Sequence, residues 1–327
     1  MKCSLGFFVT ITLAWVSALS TVQAFAQDSA TGNTDDSELN TRSPVVDETV
    51  LVRGQRLSEI EFDLPRYVIE FIEEATAQAR GRGFARWHRD FCVGVHNLAN
   101  EPAQFIVDRV SALALDVGLQ PGEPCCNPDS IIIFSTNAEE TASIMVESEP
   151  RVFRPAGAEA GTELGLAALD NFAATDHAVR WWHVSLPVDA RHGQAAIELA
   201  NSNCIGGIHC YPYIGVLGPS RIHSGIVDEL KYVIIIVDAT KLTGTSWGQL
   251  ADYLALVSLA QINPEADLQD FDSILNLFSN PAAYSGLTDW DESYLQSLYA
   301  FDQRRNVRLQ RNEIVSRIVE QEQSLSE

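Results

Sequence analysis

Positive charge is scarce in this sequence. Its 22 lysines and arginines face 44 aspartates and glutamates, giving a net charge of −22 and a pI near 4.6. Such a balance repels phosphate, which excludes nucleic acid as a partner and disfavours anionic lipid surfaces. None of the six cysteines forms a C-x-x-C pair, the usual mark of a structural zinc site. No G-x-G-x-x-G follows a strand-like run, and Gly206-Gly207 is too short to cradle a phosphate. No two histidines have the i,i+4 spacing of a helical metal site. Past the N-terminus, no apolar run reaches the ~20 residues that a membrane span needs. No cofactor is expected from these patterns, and the chain is not expected to span a membrane.

What is present argues for a folded domain. Hydrophobic residues make up 46% of 327 positions, enough for a real core in one large domain or two small ones. Residues 1–26 read as a secretory signal peptide. Lys2 opens it, Leu5 to Leu19 is its apolar segment, and Ala24-Phe25-Ala26 fits the small-x-small cleavage pattern. Residues 27–60 read as an acidic linker. Residues 61–303 then form the domain, and residues 304–327 a C-terminal amphipathic helix. The expected location is secreted, or periplasmic in a bacterial envelope.

That compartment is oxidising, so cysteine pairing is expected. Cys204 and Cys210 bracket a short glycine-containing loop and should pair. Cys92 reaches either Cys125 or Cys126, and one thiol is then left over.

Periodicity sets the order of elements. Helical spacing runs from Leu64 to Arg80, and period-two alternation from Arg86 to Leu98. Pro102 opens a second helix that Gly118 ends. Ser130–Phe134 is a short buried strand, Asn137 starts a third helix, and residues 163–172 make a further short helix. His177–Pro187 is a strand, and residues 188–222 a long stapled loop. The run Lys231-Tyr-Val-Ile-Ile-Ile-Val-Asp238 is apolar and β-branched, so it should be a buried strand. Ser246 caps the nearly all-apolar helix that follows. Helices at Gly286–Ala300 and Arg304–Gln323 close the chain. The class expected is α+β: a single mixed sheet packed with helices.

Within the central helix, Gln249 to Gln261 (QLADYLALVSLAQ) resembles the active-site helix of metzincin metallopeptidases, with its H-E-x-x-H-x-x-G-x-x-H motif. Leu287 to Tyr299 (LTDWDESYLQSLY) is similar to the last helix of matrixin- and serralysin-like domains. The resemblance covers residues 84–301 and implies a zincin-like upper domain. In the overlay, Ala251 and Ala255 stand where the first two zinc-binding histidines would be, and Gln261 stands at the third. Asp252 falls at the catalytic glutamate and Ser258 at the glycine. Alanine has no ligand atom and glutamine is a poor one, so no metal is expected there. The implied protein has lost catalysis and binds a protein or peptide.

The rival is a secreted hydrolase with another site. Gly244-Thr245-Ser246-Trp247-Gly248 spells G-x-S-x-G between a strand and a helix, although a capped turn is the leading reading. His88/His96 and His177/His183 sit at even spacing, so each pair shares a strand face. Glu265, Asp267, Asp270 and Asp272 cluster after the central helix but lack calcium-loop order. Trp181-Trp182 puts one indole on each sheet face. A third reading is an envelope component that oligomerises through the C-terminal helix.

Overall fold

The computed structural model describes residues 63–78, 82–88, 90–153, 165–198, 204–205, 209–210, 212–213 and 223–325. The signal peptide and acidic linker expected at residues 1–60 lie outside the described residues. Everything below belongs to the unit Ile60–Glu327.

Strand β8 (Ile226–Asp238) is the centre of the sheet. It pairs in parallel with β2 (Ser130–Ser135) and antiparallel with β3 (Val179–Asp189). β1 (Val93–His96) pairs in parallel with β2, giving the order β1-β2-β8-β3. The sheet is therefore mixed and packed with helices, as the sequence suggests. Four two-residue strands, β4 to β7, lie in the expected loop: Ile197–Glu198 pairs with Pro212–Tyr213, and Cys204–Ile205 with His209–Cys210.

Both faces of the sheet are covered, which explains the uninterrupted apolar run in β8. Val233, Ile235 and Val237 point into the larger core. Ile234 and Ile236 point into a smaller one. The larger core holds α1 (Leu64–Ala75), α2 (Asn100–Asp116), α6 (Trp247–Leu259), α7 (Asp289–Ala300) and α8 (Val307–Leu325). The smaller holds α3 (Ala138–Ser148), α4 (Pro150–Phe153) and α5 (Gly165–Ala174). Trp181 and Trp182 divide between the two cores, 6% and 3% exposed, so neither indole is a surface contact. In α8, Ile314 and Ile318 are fully buried within this unit. The apolar face that would drive oligomerisation is used internally.

Three element boundaries differ most from expectation. The strand expected over Arg86–Leu98 contracts to β1 because Phe91 pairs with the 120–122 turn: its N–H donates to Gln120 O at 2.9 Å, and its carbonyl accepts from Gly122 N at 2.9 Å. Helix α1 stops at Ala75, not Arg80. Beyond it Thr76 turns extended and bridges Ile262. The last strand begins at Ile226, not Lys231, because β3 pairs with it along its whole length.

Of the two partners open to Cys92, Cys126 closes the disulfide. Cys125 is disulfide-bonded as well. The spare thiol expected at this pair is therefore not there, and Cys125 takes a left-handed backbone conformation (φ 74°). Cys204 and Cys210 face each other in the backbone register of β5 and β6. No helix among the described residues is long and apolar enough to cross a membrane.

Candidate functional site

The residues of the central helix are committed to structure. Ser246 is the N-cap, and its Oγ accepts from Gln249 N at 3.2 Å while Gln249 Oε1 accepts from Ser246 N at 2.7 Å. This is a reciprocal capping box. The hydroxyl expected of a nucleophile spends its lone pair on a helix N–H.

Leu250 through Leu259 are all buried, as befits a helix that is apolar all round. Ala251 and Ala255 are both 0% exposed, and their methyls lie in the core. Asp252 is a strut. It pairs with Arg109 of α2 and accepts from Leu287 N at 3.0 Å, tying α6 to the turn before α7. A Cβ at Gly286 would meet the Asp252 carboxylate, so any larger residue there would push this strut aside. Gln261 lies past the end of the helix, which stops at Leu259, and is 5% exposed; its carbonyl accepts from Ala77 N at 3.3 Å.

Sequence reasoning missed the residues that finish this helix. Its last carbonyls have no intrahelical donor. His183 Nε2 meets Val257 O at 2.8 Å, Trp87 Nε1 donates to Ser258 O at 2.9 Å, and Tyr299 OH donates to Leu259 O at 2.7 Å. Just beyond, Trp181 Nε1 donates to Ile262 O at 3.0 Å. Three side-chain donors thus replace water at the buried helix end, and a fourth serves the carbonyl of Ile262 past it.

The histidine pairs do not act as pairs. His177 precedes β3 and is exposed, whereas His183 is buried. His88 and His96 are both exposed, and only His96 lies on a strand. Among the described residues no three His, Cys, Asp or Glu side chains gather as a metal site. Glu265, Asp267, Asp270 and Asp272 are exposed on the segment after α6.

Burial holds His183 down to about 4, well below its ordinary 6.5, against two backbone hydrogen bonds that act the other way. The unfolded chain therefore takes up a proton near pH 6.5 that the folded chain refuses until about pH 4. Stability should fall as pH drops through this window, by about 3 kcal/mol from this group alone. Asp291 works oppositely. Burial raises it to about 6, so the fold loses stability as pH rises from about 4 to 6. The difference between wild type and His183→Gln isolates the histidine. Urea unfolding at pH 4.5 and 7.5 should show the variant losing less stability on acidification; equal losses would mean that His183 is not a buried neutral ring.

An open site lies instead along the outer edge of β3. Asp238 N donates to Ala178 O at 2.8 Å, and antiparallel alternation then turns the backbone groups of Arg180 and Trp182 toward β8. Those of Val179 and Trp181 turn outward. The same parity holds further along: Pro187 O and Asp189 N face out and bond to Ala196 N and Gln194 O. Within the described residues, no hydrogen bond reaches the outward main-chain groups of Val179 and Trp181. Two cavities open there, of about 360 and 470 Å³, sharing His177, Val179, Trp181 and Pro264 as walls. One runs up to the C-terminal end of α5. The other runs under the 262–279 segment. Pro187, a proline inside a strand, was the sequence signal of an edge.

No protein-family model, curated protein or solved structure matches this chain.

Proposed function

We propose that this protein is a secreted, non-catalytic binder that takes an extended polypeptide segment along the outer edge of β3. The observation that carries the reading is the pair of outward-facing residues Val179 and Trp181, whose outward main-chain groups have no partner among the described residues, opening onto a two-lobed groove. An edge strand offers main-chain donors and acceptors in the spacing of another strand, and flanking cavities take alternate side chains. A non-catalytic role is supported by the central helix, where positions 251 and 255 hold packed methyls and Asp252 ties two elements together. The N-terminal apolar segment and the disulfide support export to an oxidising compartment.

The test is Val179→Pro. Proline removes an N–H that faces outward and leaves the bonds to β8 in place; because the Val179 side chain is also buried, Val179→Ala is the control for lost packing. A panel of immobilised extended octapeptides should bind wild type and lose at least about tenfold in affinity for the variant, the ~1.4 kcal/mol expected of one lost main-chain hydrogen bond. Equal binding by both proteins would sink the edge reading.

A further inference from the structure

The larger cavity holds two polar groups that nothing in the described chain answers. Tyr253 lies on α6, is 4% exposed, and lines the cavity beneath the 262–279 segment. Its ring meets Trp181 and Phe278 edge to face, at centroid distances of 6.1 and 5.0 Å. Among the described residues its hydroxyl makes no hydrogen bond. Burial pushes that hydroxyl well above its ordinary range, so it stays protonated and can donate. Asn276, 9% exposed, lines the same cavity from a turn that packs on α6. Its Nδ2 donates to Leu268 O at 2.7 Å and to Phe271 O at 2.9 Å, which uses both amide hydrogens and fixes the orientation of the group. Its Oδ1 can therefore only accept, and no donor among the described residues reaches it. Other unbonded side-chain atoms, such as Thr245 Oγ1 and Trp290 Nε1, are sealed from solvent; the Tyr253 and Asn276 oxygens keep accessible surface, so a ligand atom can meet them.

Buried polar groups are ordinarily bonded, so this pair specifies a ligand. The ligand must bring an acceptor for Tyr253 and a donor for Asn276. A carboxylate brings no donor and would meet Asp176 and Asp267 at the rim, where Lys241 is already held by Asp176 and Asp238. An ammonium brings no acceptor. A primary carboxamide brings both without charge, and the volume of about 470 Å³ leaves room for its stem against Trp181 and Phe278. We propose that this cavity is a carboxamide subsite: Tyr253 donates to the carbonyl of a neutral primary amide, and Asn276 Oδ1 accepts from its NH₂ group. The inference rests on the edge-binding reading in one respect, that the amide is the side chain of a glutamine in the segment lying on β3. Val179 and Trp181 form a wall of this cavity as well as the edge, so a side chain of that segment can enter it. A free small carboxamide is the other source, and the test separates the two.

The subsite is testable without the polypeptide. Isotope-labelled protein, purified from an oxidising compartment, is titrated with 3-phenylpropionamide, and the Asn276 side-chain amide and Tyr253 ring resonances are followed. Three molecules of similar shape are compared: 3-phenylpropionate, 4-phenylbutan-2-one, which keeps only the acceptor, and 3-phenylpropylamine, which keeps only the donor. The amide should bind saturably, move both resonances, and bind at least about fivefold more tightly than each of the others, the ratio expected of one hydrogen bond. Tyr253→Phe should lose about fivefold for the amide, yet unfold at the urea concentration of wild type or a higher one, because the hydroxyl has no partner to lose. Ser279→Trp, at an exposed position on the cavity wall, should block the amide without touching either oxygen. Equal binding of all four molecules, an unmoved Asn276 amide, or amide affinity unchanged in both variants would each overturn the subsite. Octapeptides with glutamine or norleucine at one central position then assign the source. A glutamine peptide that binds more tightly, and loses that advantage in Tyr253→Phe, places the amide on the polypeptide; equal peptides with phenylpropionamide still bound would remove the polypeptide as its source. Phenylpropionamide binding while Val179→Pro leaves peptide affinity unchanged would retain the subsite and remove the edge reading. Peptide binding that needs Val179 but ignores both Tyr253→Phe and the glutamine, with no phenylpropionamide bound, would do the reverse.

Discussion

Replacing both Ala251 and Ala255 with histidine should destabilise this protein by about 4 kcal/mol or more. The pair would spell the start of a zinc motif, yet each position is fully buried and part of the core. Enlarging a packed alanine forces neighbouring side chains off their preferred rotamers, at about 1–3 kcal/mol per site. Each imidazole also carries a polar nitrogen into an apolar setting, at about 1–3 kcal/mol where nothing accepts or donates to it. Against a total stability of about 5–15 kcal/mol, the sum is large. Urea unfolding followed by tryptophan fluorescence gives the number. The loss should persist with zinc present, because Gln261 lies beyond the helix and is itself buried. A double variant as stable as wild type, gaining one zinc per chain, would mean these positions border a cleft and are not packed.

Asp291→Ala should cost a similar amount, about 4 kcal/mol at pH 7. Its carboxylate is wholly buried and serves four donors: Ser273 Oγ at 2.6 Å, Ile274 N at 2.8 Å, and Thr288 N and Oγ1 at 3.2 and 2.8 Å. Two of these lie in the capping box that starts α7, and two in the turn that α7 packs against. Removing the acceptor strands Ser273 Oγ, Ile274 N and Thr288 N, each worth about 1–3 kcal/mol, while Thr288 Oγ1 keeps the Asp272 carbonyl at 2.7 Å. The burial that raises the carboxyl to about 6 offsets about 3 kcal/mol of this once the group is ionised. Asp291→Asn separates the two effects. It keeps an acceptor oxygen and removes the charge, so it should cost less than alanine, and its stability relative to wild type should rise by about 3 kcal/mol between pH 4 and 6. A loss under 1 kcal/mol for Asp291→Ala would show that Thr288 and Ser273 find other partners.

What could be read in the sequence was local. The β-branched run of β8, the Ser246 and Asn137 caps and the left-handed Gly118 (φ 86°) are each decided by residues within a turn of one another. The mixed sheet followed from the order of those elements. The finish of α6 was not legible, because its donors lie 171, 74 and 40 positions away in Trp87, His183 and Tyr299. Nothing in the spelling of Trp87 says which carbonyl it will meet. The strand expected at Arg86 failed for the same reason: alternation was real, but the sheet had no strand to offer Phe91. The open edge was hidden too, since which strand ends the sheet depends on β8 inserting between β2 and β3. Pro187 alone carried that information locally.

Hydrogen exchange at single amides along β3 tests the edge most directly, and it needs no ligand. The N–H groups of Arg180 and Trp182 face β8 and should exchange only on large-scale opening. Those of Val179 and Trp181 face the groove and should exchange at least about a thousandfold faster, the ratio given by about 4 kcal/mol of opening free energy. Alternating fast and slow amides from Val179 to Trp182 is the result the account predicts. Uniform protection across these four residues would show that the edge is already paired, and the groove would then have no main chain to offer.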